Sequence, residues 1–144
     1  MGVLIDTNII IDLERGAIDI SRIVRGREEE DFFISVISAS ELLYGVHKAR
    51  EIAIRSRRDA FVESVLRLFP ILSIDLIVAR VHAELASSPE TSGKRIGIHD
   101  AWIAATCLAH DLTLATGNIR EFKQVKGLRL ENWKSASPRG AENR

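Results

Sequence analysis

The chain has 144 residues, 46% of them hydrophobic and 28% charged, which suits one ordinary domain around one core and excludes a long disordered segment. Lysine plus arginine and aspartate plus glutamate stand at 20 each, so total charge gives no sign of a polyanionic partner. The single cysteine, Cys107, excludes an internal disulfide and an all-cysteine zinc site, and no run reaches the roughly 18 apolar residues of a membrane helix; with no export signal, the expected location is the cytoplasm.

Val3-Leu4-Ile5 is a short apolar run stopped by Asp6-Thr7-Asn8, and Ile9-Ile10-Ile11-Asp12-Leu13 follows. Strand, turn, helix is the expectation. A polar segment at 26–31 leads into Phe32-Phe33-Ile34-Ser35-Val36, whose aromatic and β-branched content predicts a second strand. Ser38 and Glu41 stand three apart ahead of Leu42-Leu43-Tyr44, the spacing of a capping box, which predicts a helix starting at Ser38. Residues 48–68 hold no glycine or proline and set Ile52, Phe61, Val65 and Leu68 near helical spacing, predicting one long amphipathic helix that Phe69-Pro70 ends.

Ile71-Leu72-Ser73-Ile74 predicts a strand, and Asp75 is a natural N-cap for a helix over 76–85. Residues 87–95, rich in serine with Pro89 and Gly93, predict a loop. Asp100 opens the alanine-rich apolar run to Ala109, as in a helix packed closely on a sheet. Leu112-Thr113-Leu114-Ala115-Thr116 predicts a strand, Gly117-Asn118 a turn, 119–122 a short helix and Gly127-Leu128-Arg129-Leu130 an edge strand. Alternating strands and helices predict an α/β fold with a mostly parallel central sheet flanked by helices. Residues 135–144 read as a disordered tail.

Three acids occupy the same kind of place. Asp6 follows a strand, Glu41 lies in the first turn after a strand, and Asp100 begins a helix; Asn118 follows another strand and reaches the same edge. In parallel sheets ligands gather at the C-terminal strand ends. Two carboxylates about 4 Å apart repel by roughly 4 kcal/mol at an effective dielectric of 20, so three in one cleft need a counter-charge. Oxygen donors without a thiolate or histidine cluster suit Mg2+ or Mn2+. Such an ion activates water and neutralises a phosphate in in-line displacement, which predicts phosphodiester hydrolysis with Asp6 holding the ion and Glu41 or Asp100 as general base. Each acid also has a plain reading, as a turn residue, a cap or a helix-dipole partner. His47, His82, His99 and His110 read as surface or capping residues.

Charge is unevenly spread: residues 1–35 hold eight acids against four arginines, whereas 48–67 hold six bases against three acids. Lys48, Arg50, Arg55, Arg57 and Arg58 are candidates for contact with the phosphates of a polyanion, against the reading of a solvated helix face.

The pieces Leu4-Ile5-Asp6-Thr7-Asn8, Ile37-Ser38-Ala39-Ser40-Glu41-Leu42, His99-Asp100-Ala101-Trp102-Ile103-Ala104-Ala105-Thr106 and Leu114-Ala115-Thr116-Gly117-Asn118-Ile119-Arg120-Glu121-Phe122 stand in that order. Together with Gly127 to Trp133 they resemble a PIN-domain ribonuclease, and most closely a VapC-type toxin of a type II toxin–antitoxin pair. The resemblance implies a PIN-like nuclease domain over 1–134, with Asp6, Glu41 and Asp100 matching the family's three acids and Asp6 and Asp100 its Mg2+ ligands. Thr7, Asn8 and Thr116 support them. Asn118 stands where relatives have Asp or Asn, which leaves out a fourth negative charge there, and Gly117 stands where relatives are often basic. By resemblance the substrate is single-stranded or loop RNA, a tRNA or rRNA, cut to inhibit translation. The implied partners are a VapB-type antitoxin, which alone binds operator DNA, and a second copy of the chain in a homodimer. The alternatives are a catalytically silent RNA-binding or regulatory module of the same fold, and a phosphatase-like enzyme with Asp6 as nucleophile, against which Asn8 stands where a second acid is wanted.

Overall fold

Val3-Leu4-Ile5 offers no polar face, as a strand covered on both sides requires. It forms β1 (Gly2–Ile5) at the centre of a five-stranded sheet in which every pairing is parallel, in the order β3 (Ile71–Leu72), β2 (Asp31–Ser35), β1, β4 (Thr113–Thr116), β5 (Arg129–Asn132). The structure is a computed structural model and describes residues 2–89 and 96–136. Leu4 lies beside Leu114 and Ile5 beside Ala115. Alternation along the strand sends Val3 and Ile5 to one face and Leu4 to the other. The first face packs with Ile9 and Ile10 of α1 (Thr7–Glu14), Leu42 and Val46 of α3 (Val36–Lys48), and Val62 and Val65 of α4 (Ile52–Leu68). The second packs with Leu85 of α5 (Leu76–Ser87), Ile103, Ala104 and Cys107 of α6 (Ile98–His110), and Phe122 of α7 (Ile119–Phe122).

The chain winds outward from β1 through β2 to β3, then returns to the other side of β1 for β4 and β5. Strand order therefore reverses between β1 and β4, and the crevice beyond their C-terminal ends is the place where such sheets take ligands. Asp6 and Thr116 are the residues at that crevice.

Several local expectations are corrected. The cap of α3 is Ser35, whose Oγ accepts from the backbone N–H groups of Ile37 and Ser38 at 2.9 and 3.3 Å, so Ser38 and Glu41 form no capping box. Ser38 is instead fully buried inside the helix, and Glu41, one turn on, is released for another partner. The single helix expected over 48–68 is two helices. α3 runs on to Lys48, Ala49 leaves helical geometry at φ −69°, ψ 122°, and α4 starts after Glu51. Arg55 stabilises that break by donating to the carbonyls of Ala49 at 3.0 Å and His47 at 3.3 Å, as Arg58 donates to Gly45 at 3.1 Å. These are C-terminal carbonyls of α3 that lack helical partners.

A short helix not anticipated from sequence, α2 (Ile20–Val24), is capped by Asp19. Asp75 caps α5 as expected, accepting from Val78 N–H at 3.0 Å. Of the expected loop at 87–95, residues 90–95 lie outside the described residues. Of the expected tail at 135–144, the first two residues end a 3-10 turn, Trp133–Ala136, and residues 137–144 lie outside the described residues.

That turn is tied down. Trp133 is buried and donates from Nε1 to Glu131 at 2.9 Å. Arg27 grips Glu131 with two N–H groups at 2.9 Å, pairs also with Glu30, and lies over the Phe32 ring, which meets Trp133 edge-on at 6.0 Å. A bidentate guanidinium fixes orientation as well as distance.

Candidate active site

The first position after β1 is Asp6. Its backbone N–H continues the β1–β4 ladder by donating to Ala115 at 2.9 Å, and its side chain caps α1 through Thr7 N–H at 2.8 Å. The carboxylate is therefore held at a strand end and a helix start at once. Its second oxygen accepts from Thr116 Oγ1 at 2.8 Å and from Asn8 Nδ2 at 3.2 Å. Asn8 in turn accepts Gly117 N–H at 3.2 Å. Asp6 is only 3% exposed; burial pushes its pKa above the ordinary range, while the Thr116 hydroxyl and the Thr7 N–H pull it back.

Glu41 joins through Thr7. The Thr7 hydroxyl lies 2.9 Å from Glu41 Oε1 and 2.8 Å from Ser38 Oγ. A carboxylate only accepts, so the single Thr7 proton goes to Glu41, and the Ser38 hydroxyl donates to Thr7. The other oxygen of Glu41 lies 3.7 Å from His99 Nδ1. His99 thus borders the site. His82, by contrast, stacks on Trp102 with ring centroids 3.6 Å apart.

Asp100, in the first turn of α6, is hydrogen-bonded to Glu121 and feels the charges of Asp6, Glu121 and Glu41. Burial, that shared hydrogen bond and the neighbouring charges push its pKa up to about 8. Glu121 is the residue that sequence reasoning missed. It lies within Leu114 to Phe122, but as the third residue of a short helix it carries no strand-end signal. Asn118 reaches the site through it, donating from Nδ2 to Glu121 Oε2 at 2.9 Å, while its backbone N–H donates to Thr116 Oγ1 at 2.9 Å. Asn118 thus fixes a fourth acid in place of supplying a fourth charge itself.

Among the described residues no three acidic, histidine or cysteine side chains converge as a ready-made ligand shell. Mg2+ does not require one, since it keeps several waters and takes one or two protein carboxylates together with substrate phosphate. The donor set fits such an ion: it is all oxygen, and its like charges stand close enough to raise Asp100. The thiol of Cys107 is buried and burial pushes its pKa up. Of the basic candidates, Arg58 lines a groove together with Glu41 and Glu14. Arg55 and Arg58 are engaged with α3 carbonyls, Lys48 lies 5.7 Å from the Tyr44 ring centroid, and Arg57 borders a shallow groove with Glu14, Ile54 and Phe61. Arg50 is exposed in the α3–α4 break.

A model of the PIN domain family matches residues 3–128. The chain belongs to the PIN-domain family. Ribonuclease VapC1 of Rickettsia felis is 35% identical over 130 residues, which are 90% of this chain and 95% of that protein. The tRNA(fMet)-specific endonuclease VapC of Shigella flexneri is 30% identical over 100 residues, 69% of this chain and 74% of that protein. Among solved structures, VapBC2 from Rickettsia felis bound to a DNA fragment from their promoter matches at TM-score 0.82 and 29% identity, covering 92% of this chain and 99% of that one. Within the PIN family the chain therefore groups with the VapC-type ribonucleases of toxin–antitoxin systems, and the parallel five-stranded sheet agrees with that placement.

Proposed function

We propose that the chain is a Mg2+-dependent endoribonuclease toxin, with Mn2+ able to serve, that cuts single-stranded or loop RNA of a tRNA or rRNA and so inhibits translation in the cytoplasm. The observation that carries this reading is that Asp100, hydrogen-bonded to Glu121 and within the field of Asp6, Glu121 and Glu41, is pushed up to about 8, while Thr116 holds Asp6 and Thr7 holds Glu41. Four carboxylates in one crevice are unfavourable alone and favourable around a divalent cation. Asp6 and Asp100 would hold the ion, with Glu41 and Glu121 beside them. When bound, the ion supplies charge neutralisation at a phosphate and a more acidic water.

The chain's own groups do the rest. Thr116 and Thr7 N–H keep Asp6 in one orientation. Thr7 leaves Glu41 Oε2 available on the His99 side to accept a proton from an attacking water, with Asp100 the other candidate for that role. Asn118 keeps Glu121 against Asp100. Asp6 as a phosphatase-type nucleophile is disfavoured, since both its oxygens are engaged by donors.

Partners follow from the family and from two surfaces. A groove with apolar walls of Ile11, Leu42, Phe61 and Val62 is rimmed by Glu41, Glu14, Arg15 and Arg58, which suits a VapB-type antitoxin segment with apolar and charged side chains. Operator DNA would be reached only through that antitoxin. The outer face of α3 exposes Val36 and Tyr44, and Ile71 on the edge strand with Leu76 and Ile77 continues the exposed apolar surface; both support a homodimer. The test is sequencing of new 5′ ends in total RNA after brief induction. Discrete cuts absent from an Asp6→Ala strain are expected. Growth arrest without new ends would instead favour the silent module.

A further inference from the structure

Gly117 stands between Thr116, which holds Asp6, and Asn118, which holds Glu121. It is not among the residues whose φ is positive, so its backbone does not demand glycine. The space a side chain would take there is held by the stem of Lys134. A Cβ built at position 117 would lie 2.5, 2.6 and 2.7 Å from Cε, Cδ and Cγ of Lys134. The lysine stem therefore lies flat across the glycine, occupying the space of a side chain there, and its ammonium follows one bond beyond Cε.

The stem is delivered from an anchored position. Trp133, the preceding residue, is buried and bonded to Glu131, which Arg27 clamps, and Lys134 N–H donates to Asn132 Oδ1 at 3.0 Å. Lys134 itself is exposed, and its ammonium makes no ion pair among the described residues. Arg55 and Arg58, by contrast, are already engaged with α3 carbonyls.

We infer that Lys134 contacts a phosphate of the RNA at the rim of the site, through a stem that lies over Gly117 and that a side chain at 117 would displace. This deepens the nuclease reading and rests on it. A substrate carrying a negative charge at every nucleotide has to approach these carboxylates, and a cation whose backbone is anchored beside two of the residues that hold them supplies the attraction that positions it.

The test is binding of a 5′-fluorescein-labelled single-stranded RNA of mixed sequence to the full chain, followed by anisotropy across about 50 to 300 mM KCl with Ca2+ in place of Mg2+. Losing one phosphate contact on a single strand lowers the salt slope by about 0.7, which is about fivefold in affinity at 0.1 M salt. Lys134→Met, which keeps the stem and removes the charge, is expected to show that loss, and Lys134→Arg to retain the slope. Gly117→Ala displaces the stem and is expected to lower the slope in the natural background but to add nothing to Lys134→Met. A slope unchanged in Lys134→Met would overturn the inference and leave the nuclease reading standing. Absence of any RNA binding by the unaltered chain would overturn both.

Discussion

The hydroxyl of Thr116 donates to Oδ2 of Asp6 at 2.8 Å across 110 positions of sequence, and it does so where strand order reverses between β1 and β4. The bond favours the charged form of Asp6 against the burial that disfavours it. Thr116→Val, which keeps the shape and removes the donor, is expected to weaken Mg2+ about tenfold. The readout is the Mg2+ concentration giving half-maximal RNA cleavage, and the deficit should shrink as pH rises and Asp6 is ionised without help.

Asp100 makes the metal-free protein sensitive to pH in a defined direction. Its folded pKa of about 8 lies above the ordinary value of 3.8, so between those values the folded state keeps a proton that the unfolded state has lost. The stability it contributes is complete below the unfolded value and is lost as pH rises toward 8. In EDTA, Asp100→Asn should therefore raise the melting temperature at pH 8 and leave it nearly unchanged at pH 4. With allowance for solvent screening at this half-buried site, the gain is on the order of 1 kcal/mol, or roughly 3 °C.

Glu121 is placed as a member of the acidic set by its hydrogen bond to Asp100. Glu121→Gln is expected to raise the half-saturating Mg2+ concentration by roughly tenfold, and Asn118→Ala, which frees Glu121, by less. Metal titration of cleavage by both variants distinguishes this from a purely structural role, in which melting temperature would fall while the metal requirement stayed fixed.

The sequence showed the strand-end pattern more readily than the partners of each side chain. Asp6 and Asp100 were legible because one follows a strand and the other opens a helix, and a parallel sheet brings such places to one edge; Glu41, expected in the first turn, stands beyond it, since α3 starts at Val36. Glu121 was not, because its role depends on Asn118 and on the way α7 folds back toward α6. The Ser38 capping box failed for a related reason: Ser35, three residues earlier, ends the strand and caps the helix, which turns Ser38 inward to Thr7. The helix break at 49–51 has no glycine or proline to announce it, and it stands on arginines whose carbonyl partners come from the preceding helix.

Those arginines give a separate expectation. Arg55→Ala removes two donors to α3 carbonyls and should lower the melting temperature by a few degrees, about 1 kcal/mol for a partly exposed site. Arg57→Ala, which borders only a shallow groove, should leave melting unchanged. Thermal denaturation of the two variants side by side decides it.

A divalent cation held by carboxylates in the crevice between β1 and β4 is the centre of the proposed mechanism. Cleavage of a labelled single-stranded RNA by the full chain, with Mg2+ supplied and then removed by excess EDTA, tests it alongside Asp6→Asn and Asp100→Asn. Cleavage with Mg2+, none in EDTA, and a loss of at least about 100-fold in each variant are expected. Undiminished cleavage in EDTA, or full activity in both variants while they remain folded, would contradict that mechanism.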